Sequence, residues 1–154
     1  MSKKWLGVMG GLLALSLGAG VAYAALSGDD AITARKTCMK AHGAGFYKLM
    51  IPTFKGEKPY DAAAISDAIG KMDAACANWG EFWPKDSMTS TTQKTHALEA
   101  IWTDPKGFDA AANAYYSAEQ ALLATKDEAS FKAAFPALGK GCAGCHEKFR
   151  APLN

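Results

Sequence analysis

Cys142, Cys145 and His146 form a C-x-x-C-H string close to the C-terminal end of this 154-residue sequence. Spaced i and i+3 on a helix, two thiols lie along one edge. There each can add across a vinyl group, so that two thioether bonds tether a porphyrin. The adjacent imidazole presents itself to the iron from the same turn, and the string reads as a c-type haem attachment site. Three other chemistries compete for it. A thioredoxin-like dithiol needs a strand running into the helix, and no strand pattern precedes Cys142. Zinc needs a fourth ligand from elsewhere, and a plain disulfide across i, i+3 is the third. Export of the chain, argued below, favours haem over all three. Because the string sits on the last helix, the sixth iron ligand is expected from the first or second helix.

Met39 is the candidate for that ligand. Ile32, Met39 and Phe46 are spaced by seven, with Arg35, His42 and Leu49 between them, which is the seam of a bundle helix with two polar residues built in. A Met on such a stripe is ordinarily core filler, while its thioether is also a good soft ligand for haem iron. His42, one turn on, competes for the iron or takes a hydrogen-bonding place at the ring edge. Met50, Met72 and Met88 are weaker candidates. Arg35 faces inward and needs a partner. A haem propionate in a bidentate pair is one choice and an ordinary side-chain pair is the other.

The elements that must position these residues are all helical. Ala dominates, Gly and Pro punctuate, and no run alternates with period two. A first helix is expected over residues 30–50, broken by Pro52, Gly56 and Pro59. A second over 61–83 carries Ile65, Ile69, Met72, Cys76, Trp79 and Trp83 and stops at Pro84. Residues 85–93 read as loop and 94–102 as a short helical piece, with no role at the iron expected for His96. Asp104 and Pro105 open a third helix with Phe108, Ala112, Tyr115, Ala118 or Glu119, and Leu122 on one side. A fourth begins near Asp127 and carries Phe131, Phe135, Leu138 and the C-x-x-C-H, with a kink expected at Pro136. Four amphipathic helices on short connections predict an all-α, antiparallel four-helix bundle. Cys38 and Cys76, on its first two helices, form either an interhelical disulfide or two buried thiols.

Residues 1–24 have the parts of a cleaved secretory leader: Lys3 and Lys4, an apolar run, and Ala22-Tyr23-Ala24. The run is short and Gly-rich for a membrane span, so residues 25–154 are expected as one exported domain with no lasting membrane insertion. The full chain has 17 Lys+Arg against 15 Asp+Glu, and loss of Lys3 and Lys4 leaves 15 against 15. That balance gives nucleic-acid binding no support.

Three stretches together carry a family resemblance: "ARKTCMK" on the first helix, "EAIWTDPKGF" in mid-chain and "CAGCHEKFR" at the end. In this order and spacing the chain resembles cytochrome c′ and its low-spin relatives, the class II c-type cytochromes. The resemblance implies a left-handed antiparallel four-helix bundle with one haem c, bound through Cys142 and Cys145 and ligated by His146. In the family the residue four positions after the first-helix arginine stands over the distal face. Gas-binding members carry an apolar residue there and low-spin relatives a Met. With Arg35 as that arginine the position is Met39, which implies His/Met coordination and a raised potential.

The resemblance also fits Trp102 and Phe149 packed near the porphyrin, or simply in the core. Arg150, with Lys140 and Lys148, forms either a positive rim for an acidic partner or a solvated helix face. The expected function is single-electron transfer in the periplasm between a redox protein donor and acceptor. The protein would be a carrier and not an enzyme, as monomer or homodimer. The alternative is a five-coordinate cytochrome c′ that binds or handles nitric oxide or carbon monoxide.

Overall fold

The computed structural model describes residues 26–153; the expected leader, residues 1–24, lies outside them. The first helix, α1 (Gly28–Gly45), starts where the Ser27 side chain accepts a hydrogen bond from the Asp30 amide. It passes through a π-helical segment (Phe46–Met50) into α2 (Ile51–Phe54). Pro52 therefore does not break the chain, contrary to expectation. The wider π turn relaxes the ladder ahead of it, and the Lys48 carbonyl, four residues before Pro52, accepts from Lys58 Nζ at 2.9 Å.

The second long helix, α3 (Ala62–Ala75), is capped by the Asp61 carboxylate on two amides. It ends eight residues before the expected stop at Trp83. Asn78 and Gly80 are poor helix formers, and the chain continues as a 3₁₀ turn, Trp79–Phe82. Residues 85–93 fold back onto the start of α1: Gln93 Nε2 donates to the Asp29 carbonyl at 2.7 Å and Ser90 Oγ to Asp29 Oδ1 at 2.6 Å. The expected helical piece at 94–102 is reduced to α4 (Ala100–Thr103). Residues before it are extended, because Ala97 pairs with Arg150 and the Leu98 amide donates to the Phe149 carbonyl at 3.0 Å. This pairing anchors the chain just beyond the C-x-x-C-H.

Helix α5 (Pro105–Leu123) opens on Asp104 and Pro105 as expected. Helix α6 (Glu128–Phe149) opens on a capping box of Asp127 and Ser130 and continues through Pro136. The helices α1, α3, α5 and α6 make an antiparallel four-helix bundle, with α1 along α3 and α5 along α6. Phe131, Leu138, Ile69, Met72, Met50 and Leu122 fill its main core. Toward the other end Ile101, Phe108 and Phe149 form a smaller cluster against Trp79 and Trp83. Cys38 and Cys76 form a disulfide between α1 and the end of α3, their Cα atoms 5.0 Å apart. Of the two alternatives open in the sequence, the covalent one is found.

Candidate haem site

The C-terminal end of α6 borders two adjoining cavities, of about 240 and 470 Å³. Met39, Trp79, Cys145, His146, Arg150 and Leu153 line both, so the two are lobes of one slot. Cys142 lines the larger lobe; Arg35 and Phe149 line the smaller one. Thus α1 and α6 bring six of the seven residues singled out from the sequence to one place. The seventh, Trp102, borders neither lobe. Its indole donates to the Trp83 carbonyl at 2.9 Å, and it supports Arg35 and Trp83 from behind.

Cys142 and Cys145 are free, half-buried thiols one turn apart on α6. Burial pushes both up from the usual thiol range, and the neighbouring Cys145 raises Cys142 further. Burial also holds the His146 imidazole below its ordinary value, with the Arg150 and His42 charges adding to the effect. His146 is therefore neutral at pH 7 and has a lone pair to offer. The 97–150 pairing fixes the backbone just after it, and Lys148 Nζ donates to Asp104 Oδ2 at 2.5 Å, tying α6 to the start of α5. That ion pair uses one of the cations of the expected positive rim.

Arg35 is buried with one nitrogen satisfied: Nη2 donates to the Ser87 carbonyl at 2.8 Å. Its guanidinium lies 4.8 Å from the centre of the Trp83 ring. Burial lowers it to about 10, so it stays charged at neutral pH. Arg35 Nη1, Trp83 Nε1 and Arg150 Nε are buried and have no hydrogen-bond partner among the described residues. All three residues line the smaller lobe. Buried donors are rarely left unpaired, and the three residues that carry them all border the smaller lobe. A porphyrin bearing carboxylates would bring acceptors beside them. Apolar walls from Ile32, Ile101, Phe108 and Phe149 suit its ring.

Met39 is 37 % exposed and opens onto both lobes, not into a packed core. His42 lines the larger lobe; its Nδ1 lies 3.0 Å from the Cys38 carbonyl and 3.5 Å from Cys76 Sγ. Cys38, His42 and Cys76 converge as metal ligands sometimes do. Here the two sulfurs are spent on each other, so the trio is not a metal-ligating set. His96 lines the smaller lobe, with Nδ1 3.1 Å from the Pro152 carbonyl. Sequence reasoning missed Trp79, Trp83 and Tyr115 as slot walls. The signal was present for the two tryptophans: they follow Asn78 and flank Gly80, where helix continuation is weakest.

A family model described as Cytochrome C' matches residues 30–150. The chain belongs to the cytochrome c′ family. It is 30% identical over 132 residues to cytochrome c-556 of Rhodopseudomonas palustris, covering 84% of this chain and 88% of that protein. It is 33% identical over 102 residues to cytochrome c' of Rubrivivax gelatinosus, covering 62% of this chain and 75% of that one. The crystal structure of the Rubrivivax gelatinosus protein superposes with a TM-score of 0.71 at 28% identity, over 81% of this chain and 98% of its own. Such bundles are the family's fold, cytochrome c′ being a standard example of the architecture. The family's covalent haem c belongs at Cys142 and Cys145, in the slot bounded by α1 and α6.

Proposed function

We propose that this cytochrome is an exported, periplasmic single-electron carrier whose haem is ligated by His146 and Met39. When bound, the haem supplies a one-electron iron couple, and the chain sets its environment. The observation that carries the reading is Met39 itself: a half-exposed thioether on α1 that shares both lobes with His146. The neutral His146 imidazole fits the other axial place. Arg35, Trp83 and Arg150 supply the unpaired donors for the haem carboxylates, and Phe108 and Phe149 keep water from the ring. Residues 1–24 act as the cleaved leader. Among the described residues no helix is long and apolar enough to cross a membrane. Its partners are a redox protein donor and acceptor, and it works as a carrier, not an enzyme.

The test is the visible spectrum of the exported protein, oxidised, reduced, and reduced under carbon monoxide. Sharp low-spin bands, a weak near-red sulfur-to-iron band and no response to the gas are expected. Met39→Leu should abolish the near-red band and open the iron to carbon monoxide. Broad high-spin bands in the unaltered protein would overturn His/Met ligation.

One observation favours a second reading. Met39 is 37 % exposed, and a solved structure with a TM-score of 0.70 and 25% identity is a nitric oxide complex of a cytochrome c prime variant from Alcaligenes xylosoxidans. A Met39 that releases the iron readily would make this chain a gas binder, and the carbon monoxide arm of the same experiment separates the two.

A further inference from the structure

Glu119 is a carboxylate that haem ligation does not use. It lies in α5, one turn after Tyr115, and is 1 % exposed. It takes part in none of the ion pairs found among the described residues. Its partner is the Tyr115 hydroxyl, which donates to Oε1 at 2.5 Å. Tyr115 in turn lines the larger lobe of the haem slot, with its ring 5.3 Å from that of His42. On the other side stands Asp73, exposed on α3. Glu119 is therefore one hydrogen bond, through Tyr115, from the wall of the slot.

The groups that face Glu119 come from each neighbouring element. Asp73 on α3 is a like charge, and Cys142 on α6 faces it from the haem attachment turn. Tyr115 and Tyr116 share its own helix, and His42 on α1 stands behind Tyr115. None of these supplies a cation at neutral pH unless His42 is protonated. Burial, and then the Asp73 charge, push the Glu119 carboxyl above the usual range, with only the Tyr115 hydrogen bond opposing. A core carboxylate without a cation is costly, and it is poised to gain a proton when the local field becomes more negative.

We propose that Glu119 is the proton-binding site of the redox centre. As one electron enters the slot from a redox protein donor, one proton from solvent binds the Glu119 carboxylate, and both leave on oxidation. The donor is oxidised by one electron and the iron reduced by one. The carboxylate becomes a carboxylic acid, so the buried region keeps its net charge. The proposal rests on a haem in the slot changing oxidation state, and not on which sixth ligand it has.

The test measures the midpoint potential of the holoprotein between about pH 5 and 8, with reduced-minus-oxidised infrared spectra of the same samples. The potential should fall as pH rises, with a slope approaching 59 mV per tenfold change in proton concentration. A carboxylic acid C=O band should appear on reduction and shift in heavy water. Glu119→Gln should remove both while leaving the visible spectrum unchanged, and Tyr115→Phe should keep the band but move its frequency. An unchanged slope in Glu119→Gln would assign the proton to the haem carboxylates or His42 and overturn the proposal. Should that variant fold poorly, absence of the band in the unaltered protein overturns it equally. The visible spectrum recorded alongside reports Met39 ligation separately, so the two ideas can fail independently.

Discussion

Removing the Cys38–Cys76 disulfide should destabilise the bundle. The bond closes a loop with a sequence separation of 38 and joins α1 to the end of α3. In the chain-entropy account, a loop of this length restricts the unfolded chain by about 13 cal/mol/K, or about 4 kcal/mol at 25 °C. For a domain of this size, at about 4 °C per kcal/mol, the melting midpoint should fall by about 15 °C. The perturbation is Cys38→Ala with Cys76→Ala, which avoids leaving a lone thiol. Guanidinium unfolding of the haem-bearing protein, followed by helix signal and by haem absorbance, is the assay. Because the bond acts on the unfolded chain, the denaturant slope should rise as that chain expands. A stability loss below about 1 kcal/mol with an unchanged slope would refute the reasoning. It would mean that the unfolded chain is already held compact by something else, such as a Met39–iron bond that persists in denaturant.

Phe131 is fully buried and stacks on Phe135 at a centroid distance of 5.5 Å. Phe131→Ala should cost about 3–5 kcal/mol in denaturant unfolding, and the visible spectrum should not change because Phe131 lines neither lobe. Hydrogen bonds from the Ser130 hydroxyl, and then from its amide, hold the Asp127 carboxyl below the usual range. A depressed folded value means that the cap's contribution is complete above the ordinary Asp range and is lost as pH falls through the lowered value. Amide exchange at Ser130 should accelerate across that acid interval in the unaltered protein, and Asp127→Ala should exchange rapidly at every pH.

How much of this was legible in the sequence depends on how local each feature is. The C-x-x-C-H carries its geometry within one helical turn, so the shared turn of Cys142, Cys145 and His146 on α6 was legible from spacing alone. The starts of α5 and α6 were equally plain, since a capping carboxylate acts on amides two or three residues away. The disulfide was not legible, because the 5.0 Å Cα separation of Cys38 and Cys76 depends on how α1 and α3 are rotated against each other. The end of α3 was misread for a related reason. Trp79 and Trp83 continue the apolar spacing of Ile65, Ile69 and Met72, but the first two line the slot and the others fill the core. Periodicity records that a residue is apolar on one side; it does not record whether a protein core or a cofactor covers that side.

That distinction explains which residues resisted interpretation from pattern alone. Met39 keeps the heptad spacing of a core stripe yet is 37 % exposed, and Glu119 breaks the apolar side of α5 yet is 1 % exposed. Arg35, Trp83 and Arg150 hold donors that the chain itself does not pair. A bundle stabilised only by its own contacts would place a thioether inside, a carboxylate outside and no buried donor unpaired. These five residues lie in the slot or one hydrogen bond from it, Glu119 through Tyr115, while the unpaired Thr53 hydroxyl lies away from it. Under the proposed His/Met reading these side chains answer to the electronics of a bound redox group. Residues that depart from the helix rules are the ones through which the proposed carrier would tune its haem, and Glu119 is the one whose proposed tuning changes with pH.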